Sequence, residues 1–330
     1  MEATPSVRRP LVSIVTPFYN TGEYLAESIE SVLAQSYGDF ELVLVNNRST
    51  DNGLQIAEHY AQRDRRIRVI TNDTFLGKVA NYNHAMRQIS PSSTYTKIVQ
   101  ADDWLYPQCL ASMVALAEEN PRVGIVSSYF FLGSSLWNVG LPYPQRVFVG
   151  KEVCKRTLMG GGFFFGNFTT TMVRSEIVRS RQPYFNEATY HEDTESCYEI
   201  LQDWDFGFVH DILSFTRTDN ESLFKSTFDF NPDTIDFLIS LHKYGPTYLD
   251  TDEYRKRLGE VERTYFAFLG RSAWSRRDEG FWNYHRNGLK IIGYELGRKD
   301  MAKHAAFAVV DTVLRPSWAL RAVKRKLLRA

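Results

Sequence analysis

Short apolar runs alternate with segments of helical spacing throughout the first 126 residues of this 330-residue sequence. The runs are rich in β-branched residues and are short, which is typical of buried strands. Between them, apolar residues recur three or four positions apart, as in an amphipathic helix. This alternation predicts βαβ units, and hence an α/β fold with a mostly parallel central sheet flanked by helices. The runs begin at Leu11, Phe40, Ile67, Tyr95 and Val123.

Polar loops follow three of these predicted strands at the point where each strand ends. They span Pro17–Gly22, Asn46–Asp51 and Asp102–Tyr106. Because parallel strands present their carboxyl ends at one edge of a sheet, we expect the three loops to converge on one crevice. That crevice is the predicted ligand site.

Two adjacent carboxylates, Asp102 and Asp103, follow the fourth run. They repel each other unless a cation lies between them or water screens them. One interpretation is a divalent metal bound together with a phosphate-bearing substrate. The other is a solvated turn at an acidic helix N-terminus. In both cases Pro107 is expected to open the next helix. The convergence of the three loops favours the metal.

The pattern changes after about Phe131. Gly160–Gly162 predicts either a hinge over a substrate or a plain flexible connector, since glycines allow both. Phe168–Val173 and Phe206–Val209 are predicted strands, the second at an edge of the sheet. The acidic cluster Tyr190–Glu195 supplies either a general base or a favourable helix N-terminus.

From Asn231 onward the sequence predicts helices and no strands. The chain is long enough for one large domain with an appendage, so we expect a domain at 1–225 and a helical extension at 226–330. The extension ends in a basic amphipathic segment, Asp311–Ala330, which predicts contact with an anionic membrane face. A terminal helix packed on its neighbours is the alternative.

Charge and cysteine content exclude several classes of protein. The net charge is zero, so we expect no nucleic-acid partner. The three cysteines are odd in number and lack CxxC spacing, which indicates reduced thiols rather than a disulfide framework or a zinc site. No stretch approaches the ~18 apolar residues of a transmembrane helix. Together with the basic end, these features predict a cytoplasmic protein at the inner face of the membrane.

Four segments carry a resemblance to a known family. They are Val12–Asn20, Leu44–Asp51, Gln100–Asp103 and Glu192–Asp193. In this order, on a βαβ scaffold, they resemble the motifs of family 2 glycosyltransferases, which are inverting enzymes with the GT-A fold. The resemblance covers residues 10–225. It implies transfer of a sugar from a nucleoside-diphosphate sugar to a glycan or lipid-linked acceptor, in surface-polysaccharide or lipid-linked glycan synthesis.

The resemblance also implies roles for the donor-site residues. Asp103 would bind Mg²⁺ or Mn²⁺, while Asp102 would hold the ribose or the waters of the metal. Pro17 and Tyr19 would contact the base. The residues implied in nucleotide-sugar binding are Pro17, Tyr19, Asn47, Lys78 and Asp102.

Three residues depart from the family pattern at the donor site. Asn46 and Asn47 stand where the family usually has two aspartates, and Gln100 stands where many members have a further one. An Asn carbonyl accepts a hydrogen bond from a pyrimidine N3–H as Asp does, but without charge assistance. One or two carboxylates still suffice for a divalent ion that also binds phosphates.

The same resemblance assigns acceptor chemistry to a second group of residues. Asp193 would be the general base that takes the proton of the acceptor hydroxyl. Glu192 would orient the acceptor or raise the pKa of the base by like-charge repulsion. The acceptor or diphosphate loop would contain Gly166, Asn167 and Arg217.

Three other functions compete with this interpretation. A sugar-phosphate nucleotidyltransferase needs a glycine-rich basic loop after the first strand, where this chain has Thr16–Asn20. A nicotinamide dehydrogenase needs GxGxxG there, and the motif is absent. Asn46, Asn47 and Gln100 leave a catalytically weak or inactive nucleotide-sugar-binding scaffold as the alternative. Asp102, Asp103 and Asp193 are nevertheless all present where the family motifs have acidic residues, and this favours the enzyme.

Overall fold

The computed structural model describes residues 9–188, 191–218, 230–275 and 277–297. Contacts divide the chain into two compact units, residues 1–220 and 221–330. The boundary predicted from the sequence, between residues 225 and 226, falls just inside the second unit. The basic segment at 311–330 lies outside the described residues.

The first unit contains ten strands and seven helices among its described residues. The strands are β1 (Val12–Phe18), β2 (Phe40–Asn46), β3 (Ile67–Thr71), β4 (Tyr95–Ile98), β5 (Trp104–Leu105), β6 (Val123–Leu132), β7 (Ser135–Trp137), β8 (Val147–Phe148), β9 (Met172–Arg174) and β10 (Asp205–Thr216). The helices are α1 (Gly22–Leu33), α2 (Gly53–Ala61), α3 (Lys78–Met86), α4 (Cys109–Glu119), α5 (Gly150–Leu158), α6 (Ser175–Ser180) and α7 (Glu192–Ile200).

The strands form one sheet in the order β3-β2-β1-β4-β9-β6-β10-β5, with β7 on β6 and β8 on β10. Strands β1 to β4 run parallel, as do β6 and β10. Strand β9 runs antiparallel between β4 and β6, and the short strands β5, β7 and β8 also pair antiparallel. The expected α/β fold is confirmed. Its parallel part is β1–β4 with β6 and β10, and the sheet as a whole is mixed.

The core of the first unit forms where α1 packs against the centre of the sheet. Val12 and Ile14 of β1 share one buried cluster with Leu25 and Ile29 of α1. Full burial of a side chain of this size contributes about 1.5–3 kcal/mol. Phe18, the last residue of β1, belongs to the same cluster, so this packing fixes the end of the strand from which the first predicted loop leaves.

Pro17 does not end β1, contrary to the prediction, because the strand continues to Phe18. Pairing with β2 extends through Phe18, whereas pairing with β4 stops at Val15. A proline is tolerated at such a position because β4 no longer requires a main-chain donor there.

Strand β10 is not the predicted edge strand at Phe206–Val209. It is longer and lies between β6 and β5. His210 and Asp211 interrupt the apolar run at an irregularity, where the register with β6 shifts between Val209 and Ile212. A bulge of this kind hides the continuation of a strand from the sequence pattern.

Two other predicted boundaries are also wrong. Strand β9 begins at Met172 rather than Phe168. Residues 168–170 form a turn, where Thr170 donates to Oδ1 of Asn167 from both N and Oγ1, at 3.0 and 2.8 Å. Helix α4 begins at Cys109 rather than at Pro107.

The described residues of the second unit form helices and no strands, as the sequence predicts. Its helices are α8 (Pro232–Tyr248), α9 (Thr251–Trp274) and α10 (Glu279–Ile291). Ile235, Leu238, Leu269, Phe281 and Leu289 form its buried core. Across the described part of the chain, no helix combines the length and the apolar character needed to cross a membrane.

Candidate functional site

The loops after β1 and β2 are joined by hydrogen bonds, as their predicted convergence requires. The side-chain Oδ1 of Asn20 accepts from the main-chain N of Thr50 at 2.8 Å, and the N of Asn20 donates to Oγ of Ser49 at 3.1 Å. The carboxylate of Asp51 accepts from the N of Gly22 at 2.7 Å. The two loops therefore form one structure at the carboxyl edge of the sheet.

The predicted base-contact residues differ in exposure. Pro17 is buried within β1. Tyr19 is 45% exposed and meets Phe75 edge to face, with ring centroids 4.9 Å apart. Phe75 is 60% exposed and lies between β3 and α3. An exposed aromatic pair therefore stands at the edge of the sheet where the donor base was expected.

Asn47 is buried, and its amide pairs with the main chain of Leu76. Its Nδ2 donates to the carbonyl of Leu76 and its Oδ1 accepts from the N of Leu76, each at 2.9 Å. Oδ1 also accepts from Nδ2 of Asn72 at 2.9 Å. The structure thus directs the Asn47 amide at the segment before α3.

The two carboxylates after β4 lie in different environments. Asp103 is 2% exposed. Its Oδ2 accepts from Oγ1 of Thr169 at 2.6 Å and from Oγ1 of Thr216 at 3.1 Å, and its Oδ1 accepts from the N of Arg217 at 3.1 Å. Asp102 is only half-buried. Three donors therefore anchor Asp103 to two distant parts of the chain.

Burial, followed by the charge of the neighbouring Asp102 carboxylate, raises the pKa of Asp103 to about 7. The hydrogen bonds from Thr169, Arg217 and Thr216 act in the opposite direction. Negative charge is thus concentrated at this turn, where a cation would be favourable.

Lys97 supports the turn that holds Asp103. This lysine is fully buried in β4, and its Nζ donates to the carbonyl of Thr169 at 2.5 Å and to that of Thr171 at 3.3 Å. Burial lowers the pKa of Lys97. Oγ1 of Thr169 also accepts from the N of Gln100 at 3.1 Å. Lys97 therefore fixes the threonine that contacts both ends of the acidic turn.

Arg217 adds a cation beside the acidic turn. Its Nε donates to the carbonyl of Asp102 at 3.2 Å, and its Nη2 lies 2.5 Å from a carboxylate oxygen of Glu27. The guanidinium also lies over the ring of Tyr24, 4.5 Å from its centroid. The predicted diphosphate-loop residue thus lies next to the predicted metal site.

The protein side chains supply only part of the coordination shell of a metal ion. Among the described residues, no three His, Cys, Asp or Glu side chains come together at a position that could hold a metal ion. Asp102 offers a hard carboxylate oxygen next to a second acid, which fits Mg²⁺ or Mn²⁺ when phosphate oxygens complete the coordination shell.

Glu192 and Asp193 form the first turn of α7. Glu192 is 3% exposed, and its Oε1 lies 2.9 Å from Nζ of Lys78. Asp193 is half-buried, and its Oδ1 accepts from the N of Thr194 at 2.7 Å. The predicted donor residue Lys78 is therefore joined to the predicted acceptor pair.

A cavity of about 20 Å³ places Asp193 together with Gly166, Asn167 and Phe168, and it has room for about one water. Gly166 has a φ of +83°, and a Cβ there would lie 2.7 Å from Thr170. A larger residue at 166 would therefore strain the backbone and collide with the threonine turn.

Several residues of the site have no signal of their own in the sequence. Thr169 and Thr216 reach Asp103 from 66 and 113 positions away. Phe75 joins Tyr19 only through the fold. The three threonines Thr169–Thr171 are visible in the sequence, but together with their apolar neighbours they predict part of a strand rather than part of the site.

Comparison with known proteins identifies relatives among glycosyltransferases. The family model described as "Glycosyl transferase family 2" matches residues 13–180. Glycosyltransferase GlyG of Streptococcus pneumoniae serotype 4 is 24% identical over 234 residues, which cover 67% of this chain and 75% of GlyG. An uncharacterized glycosyltransferase of Haemophilus influenzae is 27% identical over 200 residues, 58% of this chain and 60% of that protein.

Solved glycosyltransferase structures share the fold. Residues 1–349 of S. aureus TarS, in complex with UDP-GlcNAc, superpose with a TM-score of 0.63 at 16% identity, covering 91% of this chain and 88% of that one. The mannosyltransferase PcManGT from Pyrobaculum calidifontis, in complex with GDP-Man and Mn²⁺, gives a TM-score of 0.56 at 15% identity, covering 93% and 88%.

Proposed function

The chain belongs to glycosyl transferase family 2, and we propose that it transfers a sugar, with inversion, from a nucleoside-diphosphate sugar to an acceptor hydroxyl. The observation that carries this proposal is the anchoring of Asp103 by three donors. This anchoring fixes the main chain of Asp102 at the carboxyl edge of β4, beside the guanidinium of Arg217.

We propose that Asp102, rather than Asp103 as the resemblance implies, is the carboxylate that holds Mg²⁺ or Mn²⁺. Asp103 is 2% exposed and both of its oxygens already accept hydrogen bonds inside the protein, so an ion would have to enter this closed arrangement to reach it. A divalent ion bound with the donor would neutralise charge on the departing nucleoside diphosphate.

Arg217 provides a second positive charge for the diphosphate. A guanidinium binds phosphate oxygens through paired N–H donors. This guanidinium pairs with Glu27, whose side chain is 57% exposed. We expect the phosphates to compete with the Glu27 carboxylate, because water screens this exposed partner even though the Arg217 side chain is only 15% exposed.

Asp193 is proposed as the general base that removes the proton from the acceptor hydroxyl. A single displacement at the sugar requires no covalent nucleophile in the protein. The half-buried carboxylate borders the cavity beside Gly166 and Asn167, where an attacking hydroxyl would be excluded from bulk water. Glu192 is paired with Lys78 and is therefore proposed to position the start of α7.

The acceptor is proposed to be a glycan or lipid-linked glycan of surface-polysaccharide synthesis, made at the inner face of the membrane. The support is the basic amphipathic segment 311–330 of the sequence. Sedimentation of the full chain with vesicles of anionic and of neutral phospholipid tests this location. Equal recovery with both would contradict it.

Donor hydrolysis tests the activity itself. Release of UDP, dTDP or GDP from a panel of nucleotide sugars, with Mn²⁺ present, should identify one preferred donor. Asp193→Asn should lower transfer about 10²–10⁴-fold and leave the donor Kd unchanged. Asp203→Asn, which changes an exposed carboxylate just beyond α7, is the matched control.

Two results would overturn this proposal. Near-wild-type transfer by the Asp193→Asn variant would exclude this carboxylate as the base. If no nucleoside diphosphate raises the unfolding temperature of the protein and no nucleotide sugar is cleaved, the proposed nucleotide-sugar activity is excluded.

A further inference from the structure

We propose that Asn47 is a positioning residue that holds Phe75 against Tyr19, and that the two rings form a platform for the nucleobase of the donor. This inference rests on the proposed use of a nucleoside-diphosphate sugar. In this proposal Asn47 acts through Phe75, whereas the family resemblance implies a direct hydrogen bond from Asn47 to the base.

The pairing of Asn47 with Leu76 requires an amide. One hydrogen bond uses Nδ2 as donor and the other uses Oδ1 as acceptor, so both main-chain groups of Leu76 are satisfied. A carboxylate has no donor, and would face the Leu76 carbonyl with a negative oxygen. The two hydrogen bonds to Leu76 therefore require asparagine at position 47, because aspartate could form only one of them.

Asn72 continues the network on the other side. The main chain of Leu76 fixes the orientation of the Asn47 amide, so Oδ1 of Asn47 faces Asn72. Nδ2 of Asn72 donates to this oxygen and to Oδ1 of Asn81, both at 2.9 Å. All three asparagines are at most 5% exposed. The segment between Asn72 and α3 is thus held from both ends.

Phe75 immediately precedes the residue that Asn47 holds. Its ring is 60% exposed and makes an edge-to-face contact with Tyr19, at an interplanar angle of 66°. Such a contact uses one face of one ring at most, so aromatic surface remains open to a ligand. Large exposed aromatic groups at a crevice commonly mark binding sites.

The position of the pair indicates a nucleobase. Tyr19 directly follows β1, and Phe75 lies between β3 and α3, so both rings stand at the carboxyl edge of the parallel strands. Stacking on aromatic rings tolerates any base, because every base has a π-face. The platform should therefore distinguish nucleotides from pyrophosphate, and its loss should affect UDP, dTDP and GDP alike.

Calorimetric titration of the full chain tests the platform, with UDP and inorganic pyrophosphate as probes in the presence of Mn²⁺. Phe75→Ala should weaken UDP binding about 10- to 100-fold and leave pyrophosphate binding unchanged. Phe75→Tyr should restore UDP affinity. Tyr143→Ala, which removes another exposed aromatic ring, should change neither affinity.

Asn47→Asp tests the positioning role. It should weaken UDP binding as Phe75→Ala does, again without effect on pyrophosphate. In the Phe75→Ala background it should add no further loss, because Asn47 acts through the ring. Losses that multiply in the double variant would show that Asn47 acts separately, and would overturn its positioning role.

The outcomes separate this inference from the proposed function. Failure of the wild-type chain to bind any nucleoside diphosphate would contradict the proposed function. Wild-type binding of UDP that Phe75→Ala leaves intact would contradict the platform alone. Because the Phe75 side chain is exposed, that variant should fold, so the test does not depend on the stability of Asn47→Asp.

Discussion

Nζ of Lys78 lies 2.9 Å from Oε1 of Glu192. This contact joins the first residue of α3 to the first residue of α7. Helix α3 follows the segment that carries Phe75, and α7 carries Asp193. A single ion pair thus connects the proposed donor side with the proposed base.

Loss of Lys78 should destabilise the first unit. The Lys78→Met variant leaves the Glu192 carboxylate buried without its cation, because that side chain is only 4% exposed. We expect a loss of about 1–3 kcal/mol in the free energy of unfolding, measured by urea denaturation. Adding Glu192→Gln should recover part of the loss, since the buried group is then neutral. Independent, additive effects would contradict the pairing.

Replacing Asp102 or Asp103 by asparagine should affect different properties: the dependence of UDP affinity on Mn²⁺ for Asp102, and stability for Asp103. Asp103→Asn places an amide among three donors, so unfolding free energy should fall by about 1–3 kcal/mol. Asp102→Asn should keep wild-type stability but abolish the dependence of UDP affinity on Mn²⁺. If the Asp103 variant is fully stable and it alone loses the Mn²⁺ dependence, the metal role belongs to Asp103.

Replacement of Arg48 by glycine should stabilise the protein. Arg48 has a φ of +65° in the loop after β2, a conformation that glycine adopts more readily. Relief of this strain outweighs the added chain entropy of glycine, for a net gain of roughly 0.5–1 kcal/mol. Asn20→Gly is the control, because Asn20 has a φ of +52° but also bonds to Thr50. It should give no gain.

His285 should make the second unit acid-sensitive. The pKa of His285 is lowered from 6.5 to about 4, chiefly by burial; the hydrogen bond to the Phe230 carbonyl opposes this shift, and the Arg277 cation contributes to it. Nε2 lies 2.8 Å from that carbonyl and Nδ1 lies 3.0 Å from Oη of Tyr265. The buried ring is therefore neutral, with Nε2 donating and Nδ1 accepting.

The sign of the pH effect follows from this neutral form. Between pH 6.5 and 4 the unfolded chain binds a proton that the folded unit does not, so stability is complete above pH 6.5 and falls toward pH 4. The loss should be about 3 kcal/mol, read from denaturant unfolding across that range. The His285→Gln variant should have a shallower pH slope, and an unchanged slope would contradict the role of His285.

The sequence predicts the parts of the fold that have local signals. Strands β1 to β4 are visible as apolar runs, and their polar ends mark the edge where the site lies. Strand β5 has only two residues and pairs with Ser214 and Phe215, more than a hundred positions away. No local pattern could reveal a strand whose stabilising partner is so distant.

The site could be predicted in position but not in the roles of its residues. The two carboxylates indicate the acidic turn in the sequence, yet the difference between Asp102 and Asp103 depends on Thr169 and Thr216, which the fold brings close. Likewise, the sequence shows Asn47 in a polar loop, whereas its pairing with Leu76 depends on how β2 and α3 pack.

The hydrogen bonds between the first two loops have a consequence for engineering. Asn20 is satisfied by Ser49 and Thr50, and Asp51 is satisfied by Gly22. A loop transplanted from a relative without its counterpart would leave these groups unpaired. Residues 17–22 and 46–53 therefore form one structural unit. An experiment that exchanges these loops to change the donor preference should transfer both together.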